Sequence, residues 1–168
     1  MRYFIAIDPQ QRYEKKMPAA RPKSEMHTTL SYLGEKSPKE VKKILKTLKN
    51  VAHSSRDFNI KTTGYHDFTG RQPHLEVLNS KGLMDLQHKL KGLGTEKFQS
   101  RPYHPHLTMH NYGVAPVGKA SSKHKFPVNK ISLYSADYSK PNPYTKVKGF
   151  KLKDRNLLDR FVDFVRNE

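Results

Sequence analysis

The chain has no cysteine, which excludes disulfides, thiolate zinc sites and cysteine nucleophiles and leaves the redox compartment open. It also lacks any long apolar run: the N-terminal Tyr3-Phe4-Ile5-Ala6-Ile7 is far too short for a signal h-region or a membrane span, and no later run is longer. A soluble, cytoplasmic protein is the expectation. Acidic residues are scarce, with 15 Asp and Glu against 32 Lys and Arg and a net charge of +17. An excess of that size points to a polyanionic partner such as RNA or DNA. The plain alternative is a basic protein kept soluble by surface lysines.

What is present fits one domain. The 168 residues suffice to bury a core without staples, so residues 1–168 are read as a single domain, with residues 155–168 as an appended C-terminal helix. Tyr3 to Ile7 is short, aromatic, β-branched and stopped by Asp8-Pro9, the pattern of a buried central strand. Gln10 to Glu25 is polar and holds Pro18 and Pro22, so a basic loop is expected there. Met26 to Leu33 reads as a strand with Met26, Thr28, Leu30 and Tyr32 on one face and His27, Thr29 and Ser31 on the other.

Ser37-Pro38 opens a helix carrying Val41, Ile44, Leu45 and Leu48. Phe58 to Thr62 and His74 to Leu78 are strands, and Ser80 caps a second helix with Leu83, Leu86, Leu90 and Leu93 that ends near Gly94. Gly113 to Lys125 reads as an exposed basic loop. Val128 to Tyr134 and Tyr144 to Leu152 form an antiparallel pair, with a bulge expected near Gly149, and Asn156 to Val165 forms a last amphipathic helix. About seven strands and three helices in mixed order give the α+β class.

Two tetrads carry the chemistry: His27-Thr28-Thr29-Leu30 and, 79 residues on, His106-Leu107-Thr108-Met109. Both read His-x-Thr-apolar. Nine histidines, nine threonines and 35% hydrophobic residues predict only about 0.2 such tetrads by chance. A strand projects residues i and i+2 to one side, so each site offers an imidazole beside a hydroxyl. Two imidazoles suit acid–base work, because histidine titrates near operating pH and serves as either base or acid. Hydroxyl donors and a basic surface add a preference for an oxyanion, and attack on a phosphodiester is the reaction that fits the set. Metal binding is the weaker use, since neither tetrad has a carboxylate or cysteine at ligand spacing.

These residues resemble the 2H phosphoesterases, and within them the LigT-like RNA 2′,3′-cyclic phosphodiesterases of the 2′-5′ RNA ligase family, defined by two His-x-Thr/Ser-apolar motifs. Phe98 to Met109 is similar to the second motif, and His27 to Glu35, including Leu33-Gly34-Glu35, to the first. Phe4 to Asp8, Ile131 to Tyr134 and Tyr144-Thr145 extend the resemblance along nearly the whole chain. It implies a bilobal α+β fold of two pseudo-symmetric antiparallel sheets around a central cleft. It also implies hydrolysis of RNA 2′,3′-cyclic phosphate ends to 2′-phosphates, with no metal or other cofactor, and reversible 2′-5′ ligation as a related activity. By the same resemblance His27 protonates the leaving 3′ oxygen, His106 activates water, and Thr29 and Thr108 hold the phosphate. The partner is then an RNA or oligonucleotide with a cyclic phosphate or 2′-5′ linkage, with no membrane, and the protein a monomer. One departure is the short, proline-rich segment from Asp8 to His27, which leaves one cleft wall open or loop-built.

Further candidates flank the tetrads. Arg101 can reach a phosphate; Tyr32, Tyr103, Tyr112 and Phe126 can stack on a base, although each is also an ordinary core residue. Lys119, Lys123, Lys125 and the loop from Arg12 to Lys23 can track a phosphate backbone. His104 reads as a supporting residue. Two other readings stay open from sequence: an enzyme degrading 2′-5′ oligoadenylate or cyclic oligonucleotide signals, and a non-catalytic basic RNA-binding module.

Overall fold

A computed structural model of the protein describes residues 1–7, 27–67, 73–108, 125–140 and 143–155. Eight strands and three helices are found among them: β1 (Arg2–Ile7), β2 (Thr28–Glu35), α1 (Pro38–His53), β3 (Phe58–Asp67), β4 (Pro73–Val77), α2 (Lys81–Lys91), α3 (Glu96–Gln99), β5 (His106–Thr108), β6 (Lys125–Val128), β7 (Lys130–Ala136) and β8 (Tyr144–Lys151). They form two four-stranded sheets with the orders β2-β1-β7-β8 and β5-β4-β3-β6. Every pairing is antiparallel. The two tetrad strands, β2 and β5, each lie at one edge of a sheet, and they touch each other.

The continuous apolar run of β1 places that strand inside its sheet, between β2 and β7, as its composition predicts. Ile5 and Ile7 face a core shared by both sheets with Leu30, Leu48, Leu83, Leu90, Leu107 and Leu133. Phe4 and Ala6 point the other way, into a smaller buried cluster with Tyr134 and Ala136. Both faces of the first sheet are therefore covered.

The helices start where the sequence says they should. The Ser37 side chain accepts from the Glu40 backbone N–H while the Glu40 carboxylate accepts from the Ser37 N–H, a reciprocal capping box with Pro38 in the first turn. The Ser37 hydroxyl also donates to the Glu40 carboxylate at 2.7 Å, and this bond, together with that from the Ser37 N–H, holds the Glu40 carboxyl below its ordinary pKa. Ser80 accepts from the Leu83 N–H and starts α2, which packs on β2 and β3 and so spans both sheets.

The strand expected from Val128 to Tyr134 is in fact two. Asn129 separates β6, which pairs with β3 in the second sheet, from β7, which pairs with β1 and β8 in the first. Apolar periodicity runs through the junction because both strands are buried in the same core, so it carries no mark of the change of sheet. In β7–β8 the pairing passes from Leu133↔Lys148 to Tyr134↔Lys146, which makes Val147 the extra residue, two positions before the glycine expected to mark the bulge. Helix α3 has no forerunner in the sequence pattern; at four residues it is too short for a periodic signal. The expected helix from Asn156 and the loops from Gln10 and Gly113 lie outside the described residues, apart from Lys125 at the start of β6.

At the end of the molecule where β3 begins, the sheets are stitched together. The Asp57 N–H donates to the Lys153 carbonyl at 2.9 Å, the Lys153 N–H donates to the Ser55 carbonyl at 2.9 Å, and Asp57 Oδ1 accepts from both the backbone N–H and Nε of Arg155 at 2.9 Å.

Candidate active site

The first tetrad is shaped by how β2 pairs with β1. The register runs Phe4↔Tyr32, Ile5↔Ser31, Ala6↔Thr29 and Ile7↔Thr28, and it skips Leu30 and Leu33. Directly opposed residues of an antiparallel pair project to the same side. Thr29 and Tyr32 therefore share the face of Ala6 and Phe4, while Ser31 and Thr28 share that of Ile5 and Ile7. This corrects the strict alternation expected from sequence, which put Tyr32 with Thr28 and Ser31 with Thr29. The two irregularities let Leu30 and Leu33 both enter the core and still leave Thr29 and Tyr32 on the opposite face.

His27 stands just before β2 and is 9% exposed. Its ring sits 4.7 Å from Phe4 and 5.9 Å from Tyr134, and it meets Tyr144 edge-on at 5.1 Å. Phe4 and Tyr134 stack at 5.2 Å, and Lys146 Nζ lies 5.6 Å over the Tyr134 ring. Three rings from β1, β7 and β8 thus fix the imidazole and keep bulk water from most of its surface. Phe4 carries no mark of a site in the sequence, because an all-apolar run such as that of β1 does not reveal which of its faces is the core.

The second tetrad opens β5. His106 is partly exposed and Leu107 is buried; Thr108 pairs with His74, and His106 with Glu76, across to β4. The His106 Nδ1 lies 2.9 Å from the His104 carbonyl oxygen. A carbonyl only accepts, so Nδ1 carries a proton and the lone pair of the neutral ring resides on Nε2. His104, itself exposed, thereby sets the tautomer of His106 through its main chain. Pro105 is buried, and its carbonyl accepts from the Val77 N–H at 3.0 Å, which pins the approach of β5.

Tyr103 joins the two tetrads. Its hydroxyl donates to the Thr29 carbonyl at 2.9 Å, and its ring packs against the shared core. Burial pushes the Tyr103 hydroxyl well above the ordinary tyrosine pKa. A further tie runs from the Thr95 N–H to the Tyr32 carbonyl at 2.9 Å.

The remaining candidates separate. Tyr32 is partly buried against the Phe4 and Tyr134 cluster, and Arg101 is exposed at a bend. Phe126 is 1% exposed in the core, where it has no face to offer a base. Tyr112, Lys119 and Lys123 lie outside the described residues, as does the loop from Arg12 to Lys23.

One histidine ring is thus locked among aromatics, and the other is presented from a strand edge with a defined tautomer. The chain matches the 2′-5′ RNA ligase superfamily over residues 6–138. No curated protein matches it. Among solved structures, TT0787 of Thermus thermophilus is 20% identical with a TM-score of 0.73, covering 93% of this chain and 100% of that one. Escherichia coli LigT complexed with 3′-AMP is also 20% identical, with a TM-score of 0.70 over 90% of this chain and 97% of that one. A structure described as a phosphoesterase is 21% identical, with a TM-score of 0.72 over 90% and 98%. These likenesses give the bilobal LigT-like fold, and with the superfamily matched across most of its length and both tetrads on touching strands, the chain belongs to the 2′-5′ RNA ligase superfamily.

Proposed function

We propose that this protein is a phosphodiesterase that opens 2′,3′-cyclic phosphate ends of RNA to 2′-phosphates by two-histidine acid–base catalysis that needs no metal ion. The observation that carries the reading is the joining of the two tetrads: β2 and β5 touch, and the Tyr103 hydroxyl of one motif's leader holds the Thr29 carbonyl of the other. In the forward reaction His106 Nε2 takes a proton from water as the water oxygen bonds to phosphorus. The bond from phosphorus to the 3′ oxygen breaks, and His27 hands that oxygen its proton. The π faces of Phe4 and Tyr134 suit a cationic imidazolium at His27. Thr29 and Thr108 are assigned to the non-bridging phosphate oxygens. The 3′-AMP bound to Escherichia coli LigT supports a nucleotide phosphate as the ligand class.

The test is direct. Purified protein in EDTA is mixed with an oligonucleotide ending in a 2′,3′-cyclic phosphate, and the product is identified. The expected product is the 2′-phosphate, with a bell-shaped pH dependence of kcat/KM and a loss of at least ~100-fold in each of His27→Ala and His106→Ala. Absence of turnover, or turnover equal to wild type in both variants, rejects the proposal.

A further inference from the structure

Beyond the two tetrads, one exposed side chain is presented with unusual care. Tyr138 is 56% exposed, yet the turn that carries it is tightly held. Asp137 Oδ1 accepts from the Ser139 N–H at 3.2 Å and from the Ser139 hydroxyl at 2.6 Å, and Oδ2 pairs with Lys140 Nζ at 3.3 Å. The Asp137 N–H donates to the Pro143 carbonyl at 2.7 Å, and the Lys140 N–H to the Asp137 carbonyl at 3.2 Å. An aspartate turn of this kind fixes the backbone on either side of the tyrosine. The Asp137 carboxyl is held below its ordinary pKa chiefly by the Ser139 hydrogen bonds, so it stays an acceptor at neutral pH.

The ring is also oriented. Arg2 Cζ lies 5.7 Å from its centroid, and Tyr144 meets it edge-on at 6.3 Å. Tyr144 is the residue whose ring meets His27 at 5.1 Å. A chain of aromatic contacts therefore runs from the buried histidine out to an exposed, cation-flanked ring. A core tyrosine would be covered, and this ring is not.

We infer that Tyr138, with Arg2 beside it, is a stacking platform for the base of a nucleotide next to the reacting phosphate, and that it favours single-stranded RNA over a mononucleotide. Every base has a π face, so the contact tolerates any sequence, while the Arg2 guanidinium, which also pairs with Glu35 at 3.9 Å, lies over one ring face and leaves the other to the base. The inference rests on the phosphodiesterase reading, but its test includes binding without chemistry. The probe is a fluorescein-labelled RNA hexanucleotide ending in a 3′-phosphate, followed by anisotropy with wild type, Tyr138→Ala and Tyr138→Phe.

Tyr138→Ala is expected to weaken hexanucleotide binding about tenfold, with Tyr138→Phe within about twofold of wild type, because the ring and not the hydroxyl carries stacking. In turnover, the ratio of the KM for a hexanucleotide cyclic phosphate to that for 2′,3′-cyclic AMP should rise by a similar factor in Tyr138→Ala. Equal hexanucleotide binding by wild type and a folded Tyr138→Ala, loss equal in Tyr138→Phe and Tyr138→Ala, or an unchanged KM ratio overturns the platform. If no variant turns over cyclic phosphates, the phosphodiesterase reading falls and the anisotropy arm still decides the role of Tyr138.

Discussion

At the scale of single residues, the histidines and threonines of the tetrads are legible in the sequence because their signal is local: four letters, twice. The contacts that hold them are not. The tautomer of His106 depends on a main-chain carbonyl two residues back, and the cage around His27 draws rings from β1 and from the sequence-distant hairpin of β7 and β8. Tyr103 shows the difference best. Its sequence context offers it as a stacking residue; the structure packs its ring against the core and uses its hydroxyl to hold Thr29. Tyr103→Phe removes that hydrogen bond, at a cost of about 1 kcal/mol. The hydroxyl's pKa is raised in the folded state from the ordinary 10.0. Its contribution is therefore fully present below about pH 10 and is lost as pH rises beyond it. Urea midpoints should place wild type above Tyr103→Phe at pH 9, and the gap should narrow by pH 11. A gap that holds or widens would show that Tyr103 ionises as easily folded as unfolded.

At the scale of elements, caps and apolar periods locate α1, α2 and every described strand but β6. What they miss is set by partner strands: the skipped Leu30 and Leu33, the place of the bulge at Val147 and not at the glycine two positions on, and the break at Asn129 that sends β6 and β7 to different sheets. Packing against a neighbour also decides how two glycines of α2 behave. A Cβ at Gly82 would lie 2.5 Å from Phe58 Cγ and 2.8 Å from Phe58 Cβ, atoms near the root of a buried side chain that has little room to yield. Ala gains at most about 1 kcal/mol of helix propensity over Gly, whereas overpacking costs about 1 to 3 kcal/mol. Gly82→Ala should therefore be net destabilising, by about 1 kcal/mol. Gly92 caps the same helix at φ −63°, and nothing lies within 4 Å of the place an alanine methyl would take, so Gly92→Ala should stabilise by about 0.5 kcal/mol through the unfolded chain. Denaturant midpoints moving in the same direction for both would show that intrinsic propensity, and not the Phe58 contact, governs α2.

At the scale of the whole molecule, the net charge of +17 points to a polyanionic partner, and the exposed lysines have a definite arrangement. Lys39, Lys42, Lys46 and Lys49 recur at helical spacing along the exposed side of α1, and Lys148 is exposed on β8, the edge strand nearest that helix. Glu40 is the one acidic residue in α1, and it is engaged by the cap. A solvated face and a phosphate-tracking face look alike in a structure, but they differ in salt dependence. Each phosphate neutralised on a single strand releases condensed counterions, and log K then falls with log salt at a slope of about −0.7 per contact. A hexanucleotide touching three to five cations should give a slope of about −2 to −3.5, whereas 3′-AMP, with one phosphate, should give a much shallower one. The double variant His27→Ala, His106→Ala should keep the steep slope, because the phosphate contacts that set it lie outside the acid–base pair. A hexanucleotide slope no steeper than that of 3′-AMP would mean that the lysines serve solubility alone, and that only the nucleotide at the tetrads is held.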